Sequence, residues 1–188
     1  MKIVLTYHEK FFNIALDTYE KITTLEKEHD EIQLRIQQSE KSSEEITELL
    51  AVKNDRIGLL SLIVVVFCAT SLEAYINDYA IDHVSKNYFS KYLDRLDLLS
   101  KWIVIPRITT REQLNTGSKP IQDLSWLITL RNGLVHYKTK IKEIEQLQTS
   151  DFLWADDAKR AINTVRNLVL ELKRIDKKVE TGWLRPEL

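Results

Sequence analysis

Residues that break regular structure are scarce here: four glycines and three prolines among 188 residues, no two of them adjacent. A fold built on many tight turns is therefore disfavoured. Leu, Ile, Glu and Lys recur instead at intervals of three and four, which predicts an all-α chain. Cysteine is nearly absent. Cys68 stands alone inside the run Ile63-Val64-Val65-Val66-Phe67-Cys68-Ala69, so an internal disulfide and a CxxC metal site are excluded, and the thiol reads as a small buried hydrophobe. Long apolar runs are also missing. The most apolar window, residues 57–69, is about 13 residues against the ~20 needed to span a bilayer, and Glu73 and Asp78 follow closely. The start, Met1-Lys2-Ile3-Val4-Leu5, lacks the apolar length and cleavage site of a signal peptide. A cytoplasmic protein without membrane contact is expected. No Gly-rich phosphate loop and no His/Asp/Glu set with ligand spacing occurs, so no metal and no cofactor is expected.

Helical periodicity accounts for most of what is present. Phe12, Leu16, Tyr19, Ile22, Leu25, His29, Ile32 and Ile36 repeat at threes and fours, predicting one amphipathic helix over residues 7–38 with His29 in its apolar stripe. Ser42 and Glu45 have capping-box spacing and announce a second helix through Ile46, Leu49, Leu50 and Lys53, which would pair with the first as an antiparallel hairpin. Asn54, Asp55 and Gly58 weaken the helix locally. Residues 57–84 then form the most buried element, with small residues around Glu73 suggesting that another helix covers this carboxylate, which needs a partner there.

A shorter helix is predicted over 90–100 and a long connection over 103–119, carrying Arg107, Arg111 and Lys119. Pro120 opens a helix running to about residue 138. A polar connection, 139–150, leads to a last helix over 151–179, and a tail follows that can dock through Trp183. The expected organisation is one domain: an N-terminal hairpin or arm (1–56) packed on a helical core (57–180), with a C-terminal tail (181–188).

Net charge is −1, but it is unevenly spread. Residues 86–142 carry 11 basic and 4 acidic side chains, and a local basic surface is enough to release counterions from a polyanion. Within that segment lies Arg131-Asn132-Gly133-Leu134-Val135-His136, which puts a fixed cation, an amide and a titratable imidazole into six residues. At ~100° per residue Asn132 and His136 share a face, while Arg131 stands roughly 140° from His136. One helix cannot aim both at one point. Two motif helices facing across a two-fold axis can, and Gly133 permits their close approach. His8 and His83 are lone histidines that read as surface or structural positions.

The motif resembles the Arg-x4-His signature, commonly Arg-Asn-x3-His, of HEPN domains, helical bundles that are frequently metal-independent ribonucleases of toxin–antitoxin, abortive-infection and RNA-processing systems. The stretch Ala69-Thr70-Ser71-Leu72-Glu73-Ala74-Tyr75-Ile76-Asn77-Asp78 is similar to the earlier, polar-punctuated helix of many members, and the likeness covers roughly residues 57–178. It implies a HEPN-like up-and-down bundle and a homodimeric endoribonuclease in which His136 takes the proton of an RNA 2′-hydroxyl. Arg131 would stabilise the phosphorane charge, Asn132 would orient the phosphate or the imidazole, and Glu73 would hold Arg131 or His136 in place. The expected RNA-contacting cations are Arg107, Arg111, Lys119, Lys138 and Lys140. Some HEPN toxins that pair with a nucleotidyltransferase antitoxin carry Tyr two residues after the motif His; here Tyr137 is one residue after it and Lys138 takes the second place. An antitoxin or other protein partner is a further expectation. The alternative function is a non-catalytic HEPN-like dimerisation module that binds a partner protein through the 7–53 hairpin.

Overall fold

The computed structural model describes residues 6–37, 43–136 and 153–185; within the first two helices the side chains of 29, 33, 35–37 and 43–49 lie outside the description. The roles expected of His29, the Ser42 cap, Lys138 and Lys140, and the 139–150 connection, therefore fall outside the described residues. Helices α1 (His8–Gln37), α2 (Ser43–His83), α4 (Leu98–Thr110), α5 (Lys119–Val135) and α6 (Ala155–Ile175) make up the body of the chain. Between α2 and α4 lie a single turn, α3 (Lys86–Tyr88), and a π-helical turn, Phe89–Leu93. A 3₁₀ turn, Gly182–Leu184, follows α6, and no strand occurs among the described residues.

Long-range pairs fix the helix directions. His8 meets Asp78 and Lys53 meets Glu28, so α1 and α2 are antiparallel. Asp123 meets Arg160, and Leu134 shares a cavity with Leu153, so α5 and α6 are antiparallel as well. α2 lies in contact with α1, α4, α5 and α6. This central position explains why it does not break at Asn54, Asp55 and Gly58, contrary to the weakening expected there. Each of those residues costs at most about 1 kcal/mol in a helix, less than the burial of neighbours such as Ile57 and Val64, at ~1.5–3 kcal/mol per large apolar side chain.

The apolar part of α2 is longer than the 13-residue window suggests. Residues 50–83 are long and apolar enough to cross a membrane by length and composition, and 44% of the most apolar stretch is buried inside the fold. Across residues 58–75 only Leu59 is exposed, because α1, α4, α5 and α6 pack around α2. Phe12, Leu16 and Ile22 of α1 are fully buried against it, so the first half of α1 belongs to the same core as residues 57–83.

The expected connection over 103–119 is largely helical. α4 begins at the cap Asp97, whose carboxylate accepts from Ser100 N at 3.0 Å, and it runs through Pro106 to Thr110. Pro106 and the β-branched residues 103–105 and 108–110 read locally as helix-breaking, yet Trp102, Ile105 and Pro106 are buried, and that packing decides the outcome. Arg111 closes α4 in the left-handed region (φ 64°). The Thr109 and Thr110 hydroxyls donate to the carbonyls of Ile105 and Pro106 at 3.1 and 2.8 Å. The helix expected over 90–100 is replaced by the π turn and the start of α4.

Candidate functional site

The motif occupies the C-terminal turn of α5. Leu124 and Leu127 anchor the middle of this helix in the core, and buried Asp123 ties it to α6. Asp123 Oδ1 accepts from Arg160 Nη2 at 2.6 Å and from Lys119 Nζ at 2.7 Å, while the Arg160 guanidinium lies 4.1 Å from the Trp126 ring centroid. Desolvation alone would push the Asp123 carboxyl up; the bonds and charges of Lys119 and Arg160 outweigh it and hold its pKa below the usual range.

Beyond Leu127 the helix emerges from the core. Arg131 is half-buried, and Asn132, Gly133, Val135 and His136 are exposed. α5 ends at Val135, short of residue 138, and His136 caps it with its backbone N–H donating to the Asn132 carbonyl at 3.0 Å. Among the described residues, the motif's one side-chain hydrogen bond runs from Arg131 Nη1 to Asn132 Oδ1 at 3.1 Å. A Cβ built on Gly133 meets no atom within 4 Å, so among the described residues no other helix of the chain approaches it. Beside this helix end, Gly58, Leu59, Leu62, Leu134, Leu153 and Trp154 line a cavity of about 520 Å³ between α2, the end of α5 and the residues that lead into α6.

The other expected site residues are dispersed. Glu73 is half-buried on α2 about 16 Å along the axis from Leu62, and among the described residues it forms no bond to Arg131, Asn132 or His136. Lys119 begins α5, about 18 Å along the helix from Arg131. Arg107 and Arg111 are exposed at the end of α4, with Arg107 Nη1 donating to Gln113 Oε1 at 3.3 Å. Among the described residues no group of three or more His, Cys, Asp or Glu side chains is placed to hold a metal ion.

No known protein family, curated protein or solved structure matches this chain.

Two histidine sites emerge from contacts that the sequence does not reveal. His8 Nδ1 lies 2.9 Å from Asp78 Oδ2, with the rings of Tyr75 and Trp183 edge-on at 5.1 and 4.9 Å. A carboxylate only accepts, so the His8 proton sits on Nδ1. The Trp183 ring also packs on Phe12, so the C-terminal turn docks over α1. Next to Asp78 on α2, the Tyr79 hydroxyl donates to Asp176 Oδ2 at 2.8 Å and lies 3.0 Å from Thr109 Oγ1, while His83 Nε2 stands 3.3 Å from the same Asp176 oxygen. Burial, the Asp176 hydrogen bond and its charge push the Tyr79 hydroxyl up to about 12, against a lowering contribution from Thr109. His8 and Asp78 are 70 residues apart and Tyr79 and Asp176 are 97 apart, so no local pattern could have paired them. Burial likewise pushes up the Cys68 thiol, leaving an inert core residue.

Proposed function

We propose that the chain is a metal-independent endoribonuclease of HEPN type, acting as a homodimer whose two motif helices face one another. One observation carries this reading. In an all-helical bundle, Arg131, Asn132 and His136 stand together on an emergent helix end, where the side chains of Asn132 and His136 are exposed and no ion pair to the rest of the described chain engages Arg131. Side chains with a purely structural role would be expected to pair within the bundle, as Asp123 and Arg160 do.

In the proposed reaction, His136 takes the proton of a 2′-hydroxyl and the 2′-oxygen bonds to the adjacent phosphorus as the bond from phosphorus to the 5′-oxygen breaks. The leaving oxygen is protonated by water or by the imidazolium of the second copy, which yields a 2′,3′-cyclic phosphate and a 5′-hydroxyl. The Arg131 guanidinium neutralises the charge that grows on the non-bridging oxygens, and Asn132 orients the phosphate. Dimerisation supplies what one helix cannot, because Arg131 and His136 diverge by roughly 140° around α5. Glu73 is assigned a positioning role that the second copy would have to complete. Lys119 at the opposite end of α5 and Arg107 and Arg111 at the end of α4 suit contacts to a longer RNA.

The deciding experiment is cleavage of total RNA in excess EDTA, wild type beside His136→Ala, with end-group analysis. Cyclic-phosphate ends that vanish in the variant are expected. A folded wild-type dimer that cuts nothing would defeat the proposal and favour a partner-binding module, a reading that the exposed Leu34 and Val52 of the hairpin also suit.

A further inference from the structure

The short segment joining α2 to α4 has a surface that the fold does not use. Phe89 and Leu93 point inward and are buried, while the residues from Ser85 to Arg95 around them, Tyr88 and Tyr92 among them, are all exposed. Tyr92 follows Tyr88 by four positions, and their ring centroids lie 5.0 Å apart at 50°. Lys91 Nζ sits 5.1 Å from the Tyr92 centroid. Lys86 and Arg95 flank the pair, against one carboxylate in the segment, Asp94. None of these three cations enters an ion pair among the described residues.

The backbone is specialised at the same place. Asp94 N donates to the Phe89 carbonyl at 3.0 Å, the five-residue step of a π turn, a geometry that is rare and concentrated at functional sites. Two solvent-facing rings set among cations, with no apolar rim around them, do not suit a dry protein interface, which buries contiguous apolar surface. They do match the needs of an unpaired nucleic acid strand, which offers base faces for stacking and phosphates for Lys and Arg.

We propose that Tyr88 and Tyr92 form a stacking platform for single-stranded RNA, with Lys86, Lys91 and Arg95 contacting its phosphates. The inference rests on the reading of RNA as substrate. It adds a binding site distinct from the motif, because His83, just before the platform, lies about 30 Å along α2 from Leu62, which borders the motif end. An RNA of only a few nucleotides cannot touch both places in one chain.

The test uses the full-length chain and a fluorescein-labelled 2′-O-methyl oligoadenylate of about 12 nucleotides, which stacks well and lacks the 2′-hydroxyl that cleavage requires. Wild type is expected to bind it more tightly than a duplex of equal length, whose base faces are hidden. Tyr88→Ala and Tyr92→Ala should each weaken binding about tenfold, while Tyr88→Phe and Tyr92→Phe should stay within about twofold. Circular dichroism and gel filtration check that the variants keep their fold and oligomeric state. Equal binding by wild type and a folded Tyr88→Ala/Tyr92→Ala variant would overturn the platform. So would loss of the oligomer in that variant, or loss of binding to phosphatidylglycerol vesicles with RNA binding intact, since these reassign the rings to a protein or a lipid surface. Binding of the blocked strand without cleavage of ordinary RNA would sink the ribonuclease reading and leave the platform standing.

Discussion

His136 and Gly133 illustrate how the setting of single residues separates function from folding. His136 is exposed at the end of α5 with no side-chain bond among the described residues, so His136→Ala should change unfolding free energy by no more than about 0.5 kcal/mol while abolishing cleavage. Parallel urea melts and RNA assays check both halves. Gly133 lies in a helix with open space at its Cβ, so Gly133→Ala should stabilise the isolated chain by about 0.5–1 kcal/mol. If two motif helices meet at this glycine, the same substitution should weaken the dimer, read by sedimentation equilibrium. A variant that melts higher and dimerises as well as wild type would place the dimer interface elsewhere. The Arg131–His136 motif was legible in the sequence because it is local. The relation of Glu73 to it was not, since that distance depends on how α2 and α5 pack.

Elements show where local preference gives way to packing. The N-terminal amphipathic helix and the motif helix after Pro120 emerge close to their expected bounds, since a strong period and a preorganised first turn act within a few residues. α4 does not follow its local signals. Its β-branched residues and Pro106 argue for a connection, yet burial of Trp102 and Ile105 makes it a helix. The Asp97 cap is then the feature that fixes its start, with the carboxylate accepting from both the backbone and the hydroxyl of Ser100 at 3.0 and 2.6 Å. Asp97→Ala should destabilise the protein by about 0.5–2 kcal/mol, and Asp97→Asn by less, measured by thermal unfolding. Equal melting of all three would mean that packing alone sets where α4 begins.

At the scale of the whole molecule, charge pairs between distant helices set the response to pH. Asp123 and Asp176 have depressed pKa values in the fold: desolvation opposes ionisation, but hydrogen bonds and nearby cations overcome it. The stability they add is present above the unfolded carboxylate value of about 3.9 and is lost as pH falls below it. Tyr79 works at the other end. Its hydroxyl is pushed up to about 12, so its contribution is intact below the unfolded value of about 10 and disappears as pH rises toward 12. The urea midpoint should therefore be flat from about pH 5 to 9 and fall on both sides, with Asp123→Asn shallowing the acid limb and Tyr79→Phe the alkaline one. Unchanged limbs in these variants would assign the titration to other groups.

The sequence by itself determined the helical class, the lone core cysteine, the basic segment and the Arg131–His136 motif, because composition, period and short spacing act within one or two helical turns. Tertiary structure decided that α2 runs unbroken through Gly58, that α4 is a helix, that Asp123 meets Arg160, and that His8 and His83 each face an aspartate from another part of the chain. Those outcomes depend on which surfaces meet across 30 to 100 residues of chain, where burial and ion pairing outweigh the local preferences that a sequence displays.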